Sequence, residues 1–144
     1  MRVMVVVKAT AESETGVLPE DPSMFIEMGK FNDELIAAGV MLDGGGLKAS
    51  SNGKRLTFHG KKATIVDGPF AETKELIAGF WIWEVKDMAD AVAWASRAPM
   101  QDGATLEVRP YYEPEDFSGL VPDELVEQEK GWRDDQLAKA PKAG

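Results

Sequence analysis

Ala63-Thr64-Ile65-Val66-Asp67-Gly68-Pro69-Phe70 is the stretch on which the fold turns. An apolar, β-branched run stops at Val66, and Gly68-Pro69 ends any ladder there, because Pro has no N–H and fixes φ while Gly relaxes it. Upstream, Leu56-Thr57-Phe58 and Ala63 to Val66 flank His59-Gly60-Lys61-Lys62, the pattern of a β-hairpin. The break closes that hairpin as a unit and separates it from the strand that follows. With the hairpin set aside, the remaining order is strand, helix, strand, strand, helix, strand. That order predicts an α+β fold, the ferredoxin-like βαββαβ sandwich with an inserted β-hairpin.

Working outward, Val3 to Val7 is an unalternating β-branched run with Met4 inside it, which predicts a central strand covered on both faces. Residues 9 to 20, punctuated by Gly16 and Pro19, read as a long loop. Asp21 as N-cap and Pro22 at the first helical position open a helix whose apolar stripe is Met24, Phe25, Met28, Phe31, Leu35 and Ile36, stopped by Gly39. Val40 to Leu42 predicts a short strand ending at Asp43-Gly44-Gly45-Gly46. Those glycines allow close backbone approach, but no helix start or Lys-Ser/Thr follows them in a phosphate-loop position.

Phe80 to Val85 predicts an aromatic strand. Phe80 and Ile82 point to one face and Trp81, Trp83 and Val85 to the other, where a helix layer, a dimer contact or a pocket wall would meet them; the reading favours the dimer contact or pocket wall. Asp87 with Asp90 starts a second helix that Pro99 ends, and Thr105 to Arg109 alternates as the last strand. Both helices on one sheet face leave the other face bare, so dimerisation through the sheet, closing an α/β barrel, is expected. Beyond a linker at 111 to 120, residues 118–144 form an acidic extension. Its helix contains Gly131 and needs docking, through Trp132, while 138 to 144 fray.

The 144 residues suit one domain with a tail, and 44% hydrophobic with 28% charged residues is a globular composition. A net charge of −9 repels phosphate backbones, and Lys54-Arg55 and Lys61-Lys62 are the only adjacent basic pairs, so direct nucleic-acid binding is not expected. Zero Cys removes disulfides, thiol nucleophiles and thiolate metal sites. The five apolar residues after Met1-Arg2 are too few for a signal-peptide core, and no run approaches a membrane span, so a cytoplasmic location is expected.

Asp67 to Glu75, Asp-Gly-Pro-Phe-Ala-Glu-Thr-Lys-Glu, resembles the signature of the DGPF-motif group of the YCII-related domain family. Leu35-Ile36-Ala37-Ala38-Gly39-Val40 before the Gly-rich turn, Gly79-Phe80-Trp81-Ile82 and Glu107-Val108-Arg109-Pro110 match that pattern in order and spacing, over residues 1–117. The resemblance implies a ferredoxin-like domain that forms a homodimer of the dimeric α/β barrel kind, with mostly uncharacterised biochemistry. It also implies a regulatory link to an extracytoplasmic-function sigma factor, as in many DGPF proteins. Family enzymes that use a His and Asp pair do not carry over, because the only histidine, His59, lies in the hairpin turn, where a solvated role outweighs a catalytic one. Asp67 alone carries over, as the motif aspartate.

With one His and no Cys, no His-based triad or paired-His metal centre can be assembled, and neither metal nor cofactor is expected. Carboxylate and cation chemistry remains. As an enzyme, the protein would be a cofactor-free lyase, isomerase or hydrolase acting on a small polar or anionic molecule. Asp67 would be general base and Lys74 or Arg109 the anion anchor. As a binding module, it would hold a small ligand in an aromatic pocket of Phe70, Trp81 and Trp83. As a partner protein, it would use its acidic tail and Trp132. Against all three stands plain turn chemistry: Asp before Gly commonly bonds its own backbone, and Glu72, Lys74 and Glu75 can simply solvate the turn.

Overall fold

The computed structural model describes residues 1–142. In chain order the elements are β1 Arg2–Lys8, α1 Ala11–Glu14, α2 Ser23–Ala37, β2 Met41–Gly46, β3 Lys54–His59, β4 Lys62–Asp67, β5 Ile77–Glu84, α3 Met88–Ala95, β6 Leu106–Pro110 and α4 Asp123–Ala138. Four strands make one antiparallel sheet in the order β2-β5-β1-β6, which is the strand order of the ferredoxin-like fold. β3 and β4 form a separate two-stranded ribbon. The unalternating Val3–Val7 run is central, between β5 and β6.

Both sheet-packing helices lie on one face. Phe31 and Leu35 of α2 and Ala91 of α3 cluster with Val3 and Val5 of β1 and with Trp81 and Trp83 of β5. The two indoles therefore belong to the helix-side core, Trp83 fully buried and Trp81 5% exposed, with the Phe31 ring edge-on to both. This corrects the dimer-contact and pocket-wall reading of Trp81 and Trp83: the helix layer fills that face. Trp81 Nε1 donates to Asn32 Oδ1 at 2.8 Å, so the buried N–H is satisfied from the same helix.

Pleat alternation assigns Met4, Val6, Phe80 and Ile82 to the opposite, open face. The ladder sets Asp43 beside Ile82, Arg109 beside Met4 and Glu107 beside Val6. Charge thus borders an apolar strip.

Local details depart from the pattern in three places. Ser23 N–H donates to Asp21 Oδ1 at 2.9 Å, so the helix begins just after Asp21-Pro22, and Phe25 of the expected stripe is exposed. The long loop contains α1, closed by a reciprocal cap between Thr10 and Ser13. Gly44 to Gly46 continue β2 rather than end it. A Cβ at Gly44 would lie 2.8 Å from Trp81 Cδ1, so the glycine lets the strand pass over the indole.

α4 docks, but not through Trp132, which is 53% exposed. Val126 is the buried residue of the helix. Gln136 Oε1 accepts from Arg2 Nη1 at 2.6 Å, and Arg133 bonds Glu113 Oε2 at 3.0 Å and the Tyr112 carbonyl. The helix runs to Ala138 with Lys139 as its C-cap; of the 138–144 stretch expected to fray, residue 138 is helical and 143–144 lies outside the described residues. Among the described residues no helix is long and apolar enough to cross a membrane.

Candidate functional site

The Asp-Gly-Pro-Phe turn is fastened to a segment that precedes it by many residues. Asp67 ends β4 opposite Lys54, the first residue of β3, and its Oδ1 lies 2.5 Å from Lys54 Nζ. The carboxylate is 74% exposed. Gly68 N–H then donates to the Gly53 carbonyl at 3.0 Å, and the Gly68-Pro69 peptide bond is cis. A Cβ at Gly68 would sit 1.8 Å from the Ser50 carbonyl oxygen, so only glycine fits. Phe70 N–H donates to Ser50 Oγ at 3.0 Å.

Ser50 is itself braced. It opens the 3-10 turn Ser50–Asn52, and both its N–H (3.0 Å) and its hydroxyl (2.5 Å) donate to the Glu14 carboxylate of α1. A charged acceptor strengthens both bonds relative to neutral pairs. The loop helix, the 3-10 turn and the motif are thereby one hydrogen-bonded unit.

Beside this unit opens a hollow of about 410 Å³. Leu47, Leu76, Ile77 and the Phe70 ring give it an apolar wall, and Ser50 adds a hydroxyl. Lys48 and Arg55 are its charged lining residues, and among the described residues no carboxylate lines it. The Arg55 guanidinium lies over the Phe70 ring, 3.9 Å from the centroid, within cation–π range. Glu72 Oε2 approaches Arg55 Nη1 at 3.7 Å, a loose and exposed pair.

Of the six residues singled out from sequence, only Phe70 lines this hollow. Asp67 faces Lys54 and solvent. Lys74 is exposed in the 3-10 turn Thr73–Glu75, outside the lining. Trp81 and Trp83 are core residues, and Arg109 is exposed on the open sheet face. His59 ends β3, exposed and paired in the ladder with Lys62. Glu14, Lys48, Ser50 and Arg55 were not singled out. Arg55 alone left a signal, as half of an adjacent basic pair; the contacts of the other three arise only when the loop folds back.

A second hollow, about 330 Å³, lies where α4 meets the start of β1. Its charges answer one another: the Met1 amino group pairs with Glu84 and Arg133 with Glu113. Tyr111 lies close by, with Arg2 and Arg133 each 5.8 Å from its ring centroid. Burial pushes its hydroxyl above the ordinary 10.0 despite the two guanidinium groups, and Asp43 adds to the rise.

A family model described as the YCII-related domain matches residues 1–115 of the chain. A search of curated proteins finds no match.

Proposed function

The chain belongs to the YCII-related domain family, and from that premise we propose that it is a cofactor-free binding protein for a small anion with an apolar body. The ligand sits in the hollow beside the Asp-Gly-Pro-Phe turn. One observation carries this: in a chain of net charge −9, this hollow joins Lys48 and Arg55 to an apolar wall and is lined by no acid among the described residues. A carboxylate or similar group would pair with the two cations, and Leu47, Leu76, Ile77 and Phe70 would cover the apolar part. Stacking on Phe70 holds the Arg55 fork in place before the ligand arrives. Turnover with Asp67 as base has less geometric support, since that carboxylate is exposed and answered by Lys54.

The run Asp67 to Glu75 supports placing the chain in the DGPF-motif group. A homodimer through the open sheet face belongs to the same reading, and the strip Met4, Val6, Phe80 and Ile82 supports it.

Benzoate and benzamide, alike in shape and different in charge, test the binding reading. Benzoate is expected to raise the melting temperature of the folded protein in proportion to its binding and benzamide not to, because only a ligand of the native state shifts the equilibrium. Arg55→Gln and Phe70→Ala should each remove the benzoate effect. Equal response to both compounds, or a benzoate response that survives both substitutions, would count against the site.

A further inference from the structure

The β3–β4 ribbon leaves an apolar surface that none of the described residues of its own chain covers. Register pairs Leu56 with Ile65 and Phe58 with Ala63, so these four side chains share one face. Phe58 is 71% and Ile65 61% exposed. Beyond its own ladder, the ribbon packs extensively on no other element among the described residues. A two-stranded ribbon is marginal in water without a surface to pack on.

The ribbon is also basic. Residues 54–67 carry four Lys or Arg and one Asp, a net +3, so the rest of the chain carries −12 of the total −9. A second unused apolar surface lies within that acidic remainder. Leu125 and Trp132, two helical turns apart on α4, are both about half exposed, with Glu124, Glu129 and Asp135 beside them. Body-side ties of α4 run through Val126, Arg133 and Gln136. The flank with Trp132 is free of them.

We propose that the β3–β4 ribbon of one chain docks on the Leu125–Trp132 flank of α4 in a second copy. Leu56, Phe58 and Ile65 cover Leu125 and Trp132, while Lys61 in the turn at the ribbon tip meets Glu129 and Asp135. A polynucleotide or an anionic membrane would attract the ribbon but meet the −12 of the remainder, whereas a second copy offers both the acid and the apolar surface. Two-fold symmetry makes the contact reciprocal, each chain giving a ribbon and an α4 flank. The surfaces are separate from the hollow and from the open sheet face, so this contact does not rest on either.

The chain contains no cysteine, so introduced thiols are the only ones present. Phe58→Cys protein mixed with Trp132→Cys protein and oxidised should give a covalent heterodimer. Its yield should exceed that of Phe58→Cys with Glu12→Cys, an exposed control on α1, by at least about tenfold, because docking raises the effective concentration of the thiols. Equal yields would overturn the proposal. So would a disulfide forming within one chain of the double variant, or ribbon-dependent binding of an oligonucleotide or of anionic vesicles without the cross-link. Should either variant fail to fold, hydrogen exchange on the unmodified protein decides: amides 54–67 should gain protection as protein concentration rises, and concentration-independent exchange would overturn the contact.

Discussion

Gly68 leaves no room for a methyl group, since a Cβ there would press on the Ser50 carbonyl. Gly68→Ala is therefore expected to cost about 1–3 kcal/mol as the turn shifts to relieve the clash, read from the urea midpoint. Asp67→Asn should change stability by less than about 1 kcal/mol, as exposed pairs do, and should leave benzoate binding intact. Loss of binding in that variant, with the fold preserved, would restore the aspartate as a site residue. From sequence, Gly68 reads as turn punctuation, and that much is right locally. Its strict requirement comes from Ser50, whose carbonyl arrives only when the 3-10 turn folds against it. Phe70 was legible by being aromatic in a turn. Lys48 and Arg55 were not, because a cation's role depends on which wall it meets, and the ribbon and loop decide that.

At the scale of elements, period and punctuation carried most of the information. The unbroken β1 run, the alternation of β6, the capped start of α3 and the two-strand insertion all form where residue pattern predicts them. Face assignment in β5 did not follow, because Phe80 and Ile82 are large and apolar, as Trp81 and Trp83 are; Phe31 of α2 decides it from outside the strand. Trp132 misled for a similar reason. It is the largest apolar residue of α4, yet the helix meets the body through Val126 and Arg133. Arg133→Ala should therefore loosen α4 by about 1.5–3 kcal/mol, as loss of hydrogen bonds between charged groups does, with faster amide exchange over 123–138. Acid should act on the same element. The Glu115 carboxyl is held below its ordinary 4.5 by its own backbone N–H and then by Lys130, whose amine is raised by Glu115 in return. A depressed folded value means that this contribution is present above pH 4.5 and is lost as pH falls from there through the folded value. Exchange over α4 should accelerate in that window before the core unfolds, and Glu115→Gln should reduce the acid-dependent part.

Across the whole molecule, one core on one side of one sheet carries the stability. Trp83, among Phe31, Trp81 and the β1 valines, is its largest fully buried member. Trp83→Ala should cost about 3–5 kcal/mol. That is a large share of the roughly 5–15 kcal/mol typical of such domains, and thermal or urea unfolding measures it. Truncation after Phe117 should spare the sheet while stripping Arg2 of its Gln136 bond, so the shortened chain should melt lower but still cooperatively. The placement of the four tryptophans has an optical consequence. Trp81 and Trp83 are sealed in the core and Trp94 is half-buried, while Trp132 stands on the outer flank of α4. In chains diluted until the ribbon contact is released, iodide should quench chiefly Trp132, and its emission should lie to the red of the others; where a second copy's ribbon covers it, both signatures should fade. Steady-state fluorescence thus reports events on α4 separately from collapse of the core, without any added dye.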